Sequence, residues 1–118
     1  MRDKKISGNL GEDLAARHLK KSGYKIIERN LSNRLGEIDI LARQKRDIVL
    51  VEVKTKTGSE LGEGYEMVNY FKKRKLLLLA KSLQPSYPES VIRIDVISVN
   101  LANNPPEIKH FISAVEDD

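Results

Sequence analysis

The sequence contains no cysteine. Disulfides and thiolate zinc sites are thereby excluded, and nothing in the chain argues for secretion. It has no apolar run of membrane-spanning length; the longest candidate, Leu76-Leu77-Leu78-Leu79-Ala80, is far too short. The basic start, Met1-Arg2-Asp3-Lys4-Lys5, is not followed by the apolar stretch of a signal peptide. A cytoplasmic protein without a membrane partner is therefore expected. Internal repeats and low-complexity segments are absent as well. The two histidines, His18 and His110, stand too far apart in sequence for a two-histidine zinc site to be argued. His18 is expected on the exposed side of the first helix.

What is present is the composition of an ordinary globular protein. The chain has 118 residues, 40% hydrophobic and 32% charged, enough for one domain (1–118) with one modest core. The excess of 21 Lys+Arg over 17 Asp+Glu gives a net charge of +4, which permits a phosphate-rich partner. The distribution of charge says more. Lys72-Lys73-Arg74-Lys75 is a compact basic block, whereas Glu116-Asp117-Asp118 reads as a solvated tail.

Periodicity places the elements. Leu10, Leu14, Ala15 and Leu19 recur at helical spacing over residues 7–22, with Ser7 as a cap and Gly23 as the stop. Residues 24–29 read as a strand, and Asn30-Leu31-Ser32-Asn33 as a turn. Residues 37–43 and 48–54 alternate as strands around a short polar loop and predict an antiparallel hairpin. A glycine-containing loop over 57–64 leads to a second helix over 65–83, stopped by Pro85. Residues 91–100 form a further strand, and a short edge strand is expected over 108–114 after the turn Asn103-Asn104-Pro105-Pro106. The order αβββαβ, with one more strand to follow, predicts an α/β fold with a central sheet flanked by helices.

The hairpin carries the chemistry. If its loop is centred on Lys45-Arg46, opposed residues have numbers that sum to 91, and Asp39 faces Glu52. Lys54, two residues on, shares the face of Glu52. Two adjacent carboxylates repel unless a cation lies between them. Mg2+, with Mn2+ as a substitute, suits that place because it takes hard oxygen ligands and leaves positions for water and phosphate. Lys54 then positions the attacking water or stabilises the charge that develops at phosphorus. The same spacing also fits a cross-strand ion pair on a solvated face. Against that, the carboxylates lie in otherwise apolar segments, where unpaired charge is costly.

Gly36-Glu37-Ile38-Asp39-Ile40-Leu41 followed by Val51-Glu52-Val53-Lys54-Thr55-Lys56 resembles the signature of the PD-(D/E)xK nuclease superfamily. More narrowly, the chain resembles the YraN-like family of small bacterial predicted endonucleases, related to Holliday-junction resolvases. The resemblance runs from Gly8-Asn9-Leu10-Gly11-Glu12 and Gly23-Tyr24, through Arg29-Asn30, to Arg93-Ile94-Asp95-Val96 and Ile108-Lys109-His110. It implies a restriction-endonuclease-like core, a divalent metal and a nucleic-acid substrate, with DNA, structured or branched, expected first. It maps the active site onto Asp39, Glu52 and Lys54, with Glu12 as a further acidic member and metal ligand. Ile38 stands where a proline often precedes the aspartate.

Other residues have two readings each. Glu12 also suits the first turns of a helix by virtue of the helix dipole. Lys72 and Lys75 share the helical face of Val68, Leu76 and Leu79, an unusual place for charge. They are candidates for phosphate-backbone contact with Lys73 and Arg74 beside them, or they snorkel past the core's edge. Thr55 and Lys56 either reach a phosphate or form a solvated strand end. Asp95 is expected in a structural ion pair with a nearby Lys or Arg. Tyr65 and Tyr70 could stack on bases or pack on the helix surface. A non-catalytic nucleic-acid-binding module that keeps the fold is the alternative to an enzyme, and a basic helix docking an acidic partner is a third reading. A two-fold homodimer would suit symmetric cutting of two strands.

Overall fold

The computed structural model describes residues 4–58 and 70–116, with the side chains of residues 4–7 outside the description. A five-stranded sheet in the order β1-β2-β3-β4-β5 carries helix α1 on one face and α2 on the other. The elements are α1 (Lys4–Lys21), β1 (Lys25–Asn33), β2 (Gly36–Gln44), β3 (Asp47–Lys56), α2 (Tyr70–Leu83), a short 3-10 turn (Gln84–Ser86), β4 (Ile92–Asn100) and β5 (Glu107–Val115). Strands β1 to β3 are antiparallel neighbours, β3 and β4 run parallel, and β5 returns antiparallel. The sheet is thus mixed, and α2 supplies the crossover that a parallel pair requires. The αβββαβ order and the flanking helices are those read from the sequence, with β5 added at the edge. No helix is long and apolar enough to cross a membrane among the described residues.

Apolar alternation fixes which face each helix covers. Ile40, Ala42, Val49, Val51, Ile97 and Val99 pack with Ala15, Ala16 and Leu19 of α1. Leu41, Ile48, Leu50, Ile94 and Val96 pack with Leu76, Leu79, Ala80 and Leu83 of α2. Glu52 and Lys54, out of phase with Val51 and Val53, therefore lie on the α2 side.

Helix α1 begins before the expected Ser7, so that residue lies inside it. It ends at Gly23, whose φ of 90° few other residues adopt readily. Gly23 N–H donates to Lys20 O and Tyr24 N–H to Leu19 O, which together cap the helix and turn Tyr24 back under it. Gly11 lies so close to β3 that a β-carbon there would overlap the Thr55 side chain. Thr55 is thus a half-buried packing partner of α1 and not a solvated strand end.

The expected turn at Asn30–Asn33 is instead the second half of β1. Asn30 takes a φ of 55°, a conformation asparagine tolerates, and the strand continues to Asn33, with Leu31 opposite Ile38. The chain reverses at Arg34-Leu35, where Asn33 Oδ1 accepts the Leu35 N–H at 2.8 Å. The 45–46 reversal falls where the sequence places it, with Lys45 at a φ of 55°. Strand β5 spans 9 residues, and between Ile94↔Val115 and Val96↔Phe111 it bulges around Ser113, whose φ is 50°. Most of the expected 57–64 loop, and residues 65–69 of the expected second helix, lie outside the described residues.

Candidate active site

The hairpin register obeys the sum of 91 from Gln44↔Asp47 to Ile40↔Val51. Beyond that pair each strand keeps only its outer partner. Strand β2 stays on β1 through Leu31↔Ile38 to Asn33↔Gly36, and β3 stays on β4 through Glu52↔Val96 to Lys56↔Asn100. The sheet forks there. Asp39 sits in the fork and bridges it with its carboxylate, Oδ2 accepting the Val53 N–H at 2.9 Å.

Glu52 is buried, 4% exposed, and two ammonium groups converge on its Oε1. Lys54 Nζ lies 3.4 Å away and Lys72 Nζ, from the first turn of α2, 3.0 Å away. Burial first, and then the charge of Glu52, push Asp39 up to about 6, with Glu12 adding in the same direction. The Val53 hydrogen bond and the charge of Lys72 pull the other way without prevailing. Asp39, Glu52, Lys54, Lys72 and Glu12 therefore share one electrostatic neighbourhood.

Glu12 reaches it from the opposite face. Helix α1 approaches β3 through Gly11, and the buried Glu12 carboxylate accepts from Arg29 Nε at 3.0 Å and Asn30 Nδ2 at 3.1 Å, both at Oε1. Arg29 also donates to Asp13 at 2.6 Å. Read from the sequence, Arg29 has no role and Asn30 is a turn residue. The signal was the pair's place at the end of the expected strand, with Arg29 its last residue and Asn30 just beyond, which required knowing that the strand continues. Among the described residues, no three His, Asp or Glu side chains are grouped to hold a metal ion.

The basic residues divide. Lys72 turns back to Glu52 instead of projecting outward. Lys73 is half-buried and Lys75 is exposed, its stem against Gly36. Arg74 is exposed over the ring of the equally exposed Tyr70, 5.9 Å from its centroid. Lys56, expected to reach a phosphate, is instead buried at the end of β3, 7% exposed. Tyr65 and Val68 lie outside the described residues.

Asp95 holds the structural ion pair expected of it. Its carboxylate, fully buried, receives Arg93 Nε at 3.1 Å, Tyr24 Oη at 3.2 Å and the Ser113 N–H at 3.0 Å, and His110 Nε2 lies 2.8 Å away. Arg93 also reaches Asp47 and Gln44, both at 2.7 Å. His18 departs from its expected place. It is half-buried and meets His110, Nε2 to Nδ1, at 3.1 Å, because its turn of α1 faces β5. A groove of about 370 Å³ between α2, β4 and β5 opens near Arg93 and Ser113, at the end of β4 away from the fork.

A forked mixed sheet between two helices, with paired carboxylates and lysines in the fork, defines the class to which the chain belongs structurally. It belongs to the uncharacterised protein family UPF0102, whose model matches residues 11–99. A UPF0102 protein of Caldanaerobacter subterraneus subsp. tengcongensis is 40% identical over 119 residues, covering 95% of this chain and 96% of the relative. One from Geobacter metallireducens is 42% identical over 117 residues, covering 95% and 93%. The family resemblance read from the sequence is borne out at this level. Among solved structures, a chain of an EndoMS–dsDNA2 complex is similar at a TM-score of 0.47 and 19% identity, over 71% of this chain and 34% of that one. At that distance the likeness carries no functional weight.

Proposed function

We propose that this protein is a metal-dependent endonuclease that hydrolyses nucleic-acid phosphodiester bonds, DNA first, at the fork of its sheet. The observation that carries the proposal is the Asp39 carboxylate, held at about 6 by burial and by Glu52, beside a Glu52 flanked by Lys54 and Lys72. A fold that opposes the ionisation of one carboxylate next to another has a place for a cation. The core order and the fork agree with the restriction-endonuclease-like arrangement that the sequence resembles.

The residues present fit Mg2+ or Mn2+. Asp39 and Glu52 offer hard oxygens, and Mg2+ is commonly held by one or two carboxylates with water and phosphate oxygens completing its shell. When bound, such an ion lowers the pKa of a water, polarises the phosphoryl group and neutralises the leaving oxygen. Lys54 orients the attacking water and stabilises charge developing on the phosphate oxygens. Lys72 offers a second ammonium to the same group. Glu12, fixed by Arg29 and Asn30, adds negative charge behind Asp39 and supports the site. Lys73, Arg74 and Lys75 hold the backbone at the start of α2.

The test incubates the purified protein with fluorescent branched, flapped, duplex and single-stranded DNA, in Mg2+, Mn2+ or EDTA, beside Glu52→Ala. Metal-dependent cutting that disappears in the variant supports the proposal and ranks the substrates. Full activity in Glu52→Ala, free of contaminating nuclease, overturns it. The Lys72–Glu52 ion pair at 3.0 Å favours a second reading, a binding module in which an ammonium already balances the carboxylate. Salt-sensitive binding without cutting under any divalent metal would establish that module.

A further inference from the structure

We infer that the outward side of α2, where Tyr70 and Phe71 stand beside Arg74, is a platform on which unpaired bases stack, so that the nucleic acid presented to the fork is one with bases outside a duplex. The inference rests on the reading of the fork as a nuclease site and adds to it the substrate class. Among the described residues Tyr24 is buried and Tyr87 and Phe111 are half-buried, whereas Tyr70 is 65% and Phe71 79% exposed. Two neighbouring rings that add nothing to the core mark a contact surface. Tyr70, Phe71, Arg74 and Leu78 are all exposed and recur at helical spacing, so they share one side of α2. Leu76, Leu79, Ala80 and Leu83 take the other side into the core.

The chemistry of this side selects the occupant. Rings interleaved with cations are what single-stranded nucleic acid requires, the cations for its phosphates and the rings for its base faces. The helix Tyr70–Leu83 contains no Asp or Glu to repel a phosphate. The two rings stand edge to face, with centroids 5.6 Å apart and planes at 81°. A perpendicular pair engages only one face of one ring, so faces are left for a base. Inside a duplex each base face is covered by its neighbours, and the rings find open faces only at a single strand, a flap or a junction. The platform is also continuous with the fork. Lys72, next in the same turn, reaches Glu52 at 3.0 Å, and a helix with its side chains is about 10–12 Å across. A strand seated at Glu52 therefore brings bases only a few nucleotides away to Tyr70 and Phe71.

Fluorescence anisotropy in EDTA, with a labelled single-stranded oligonucleotide and the duplex of the same sequence, tests the platform apart from cleavage. Tyr70→Leu combined with Phe71→Leu keeps apolar bulk and helix propensity but removes both rings. It is expected to weaken single-strand binding by about tenfold, leave duplex binding within about twofold, and leave the salt slope of both unchanged. Phe71→Trp retains a ring and should retain the affinity. The chain has no other tryptophan, so the emission of that variant should be quenched by the single strand and not by the duplex. Equal weakening for both forms, no weakening, or no single-strand binding by the wild type overturns the inference. So does a dimer that is lost in the double variant while DNA affinity stays unchanged, which assigns the rings to a second copy. Polyglutamate that binds as tightly as the strand and loses as much in the variant assigns them to an acidic partner instead. Cleavage of the same oligonucleotides in Mg2+ separates the two readings. Cutting without any effect of the rings removes the platform and leaves the nuclease, whereas ring-dependent single-strand binding without cutting keeps the platform and removes the nuclease.

Discussion

Asp39 and Asp95 are aspartates of one small sheet held in opposite ways. Burial alone pushes the Asp95 carboxyl up, but the bonds to His110, Arg93 and the Ser113 N–H, with the Arg93 charge, hold it below the usual carboxylate value. Asp39 has the Val53 N–H and faces Glu52 and Glu12, and it rises to about 6. The contrast separates scaffold from site. A carboxylate surrounded by donors ties strands together and asks for nothing more. One held mainly among other carboxylates is what the cation site proposed above would require.

The comparison can be broken at either end, and the largest effect is expected at Asp95. Asp95→Ala leaves Arg93 without its buried partner and should cost about 3–5 kcal/mol in urea unfolding. A loss under about 1 kcal/mol, the size of an ordinary substitution, would mean that the network is incidental. Asp39→Asn should lower cleavage by on the order of 10²–10³-fold in single-turnover assays while the protein stays folded; unchanged cleavage would move the chemistry away from the fork.

The same variant should gain stability at alkaline pH. Because the native value of Asp39, about 6, lies above the ordinary 3.8, the folded state binds that proton more tightly. Its stabilising contribution is full below the unfolded value and is lost as pH rises through about 6. The amide introduced by Asp39→Asn cannot ionise, and its oxygen still accepts from the Val53 N–H. The variant should therefore match the wild type near pH 4 and exceed it by about 2 kcal/mol at pH 8. A constant difference between those pH values would contradict the assigned shift. Asp95 has the opposite sign, its contribution being present above 3.8 and lost as pH falls through its lower native value. The smallest effect is expected at the exposed Lys75, where Lys75→Ala should weaken nucleic-acid binding slightly and reduce its salt slope by about one.

Much of this was legible in the chain. Alternation over 37–43 and 48–54, with a short polar stretch left to turn, sufficed for the register as far as Ile40↔Val51; the expected next pair, Asp39 opposite Glu52, does not form, and the two carboxylates act on each other across the fork instead. The fork was not legible, because it depends on β1 and β4 holding their partners where β2 and β3 let go. Asn30 misled for a related reason: a residue suited to turns also serves a bend within a strand. Lys56 alternates like a surface residue, yet it is buried at the end of β3. The meeting of His18 with His110 depends on a helix and the last strand sharing one face, which no local pattern reports. Asp95 between Ile94 and Val96 signalled a buried ion pair, though not that Tyr24, Gln44 and Asp47 would join the network through Arg93.

The bulge around Ser113 has a consequence beyond the hydrogen bond it gives Asp95. Strand β5 borders the sheet, and an uninterrupted border strand is a template on which another copy can continue the ladder. At Ser113 the backbone N–H turns inward to Asp95 and φ is positive, so the template is broken partway along. The residue that completes the buried network thereby also guards this border against strand-by-strand aggregation. A two-fold assembly of the protein, if it forms, is expected to use a helix or the hairpin end and not sheet extension through β5.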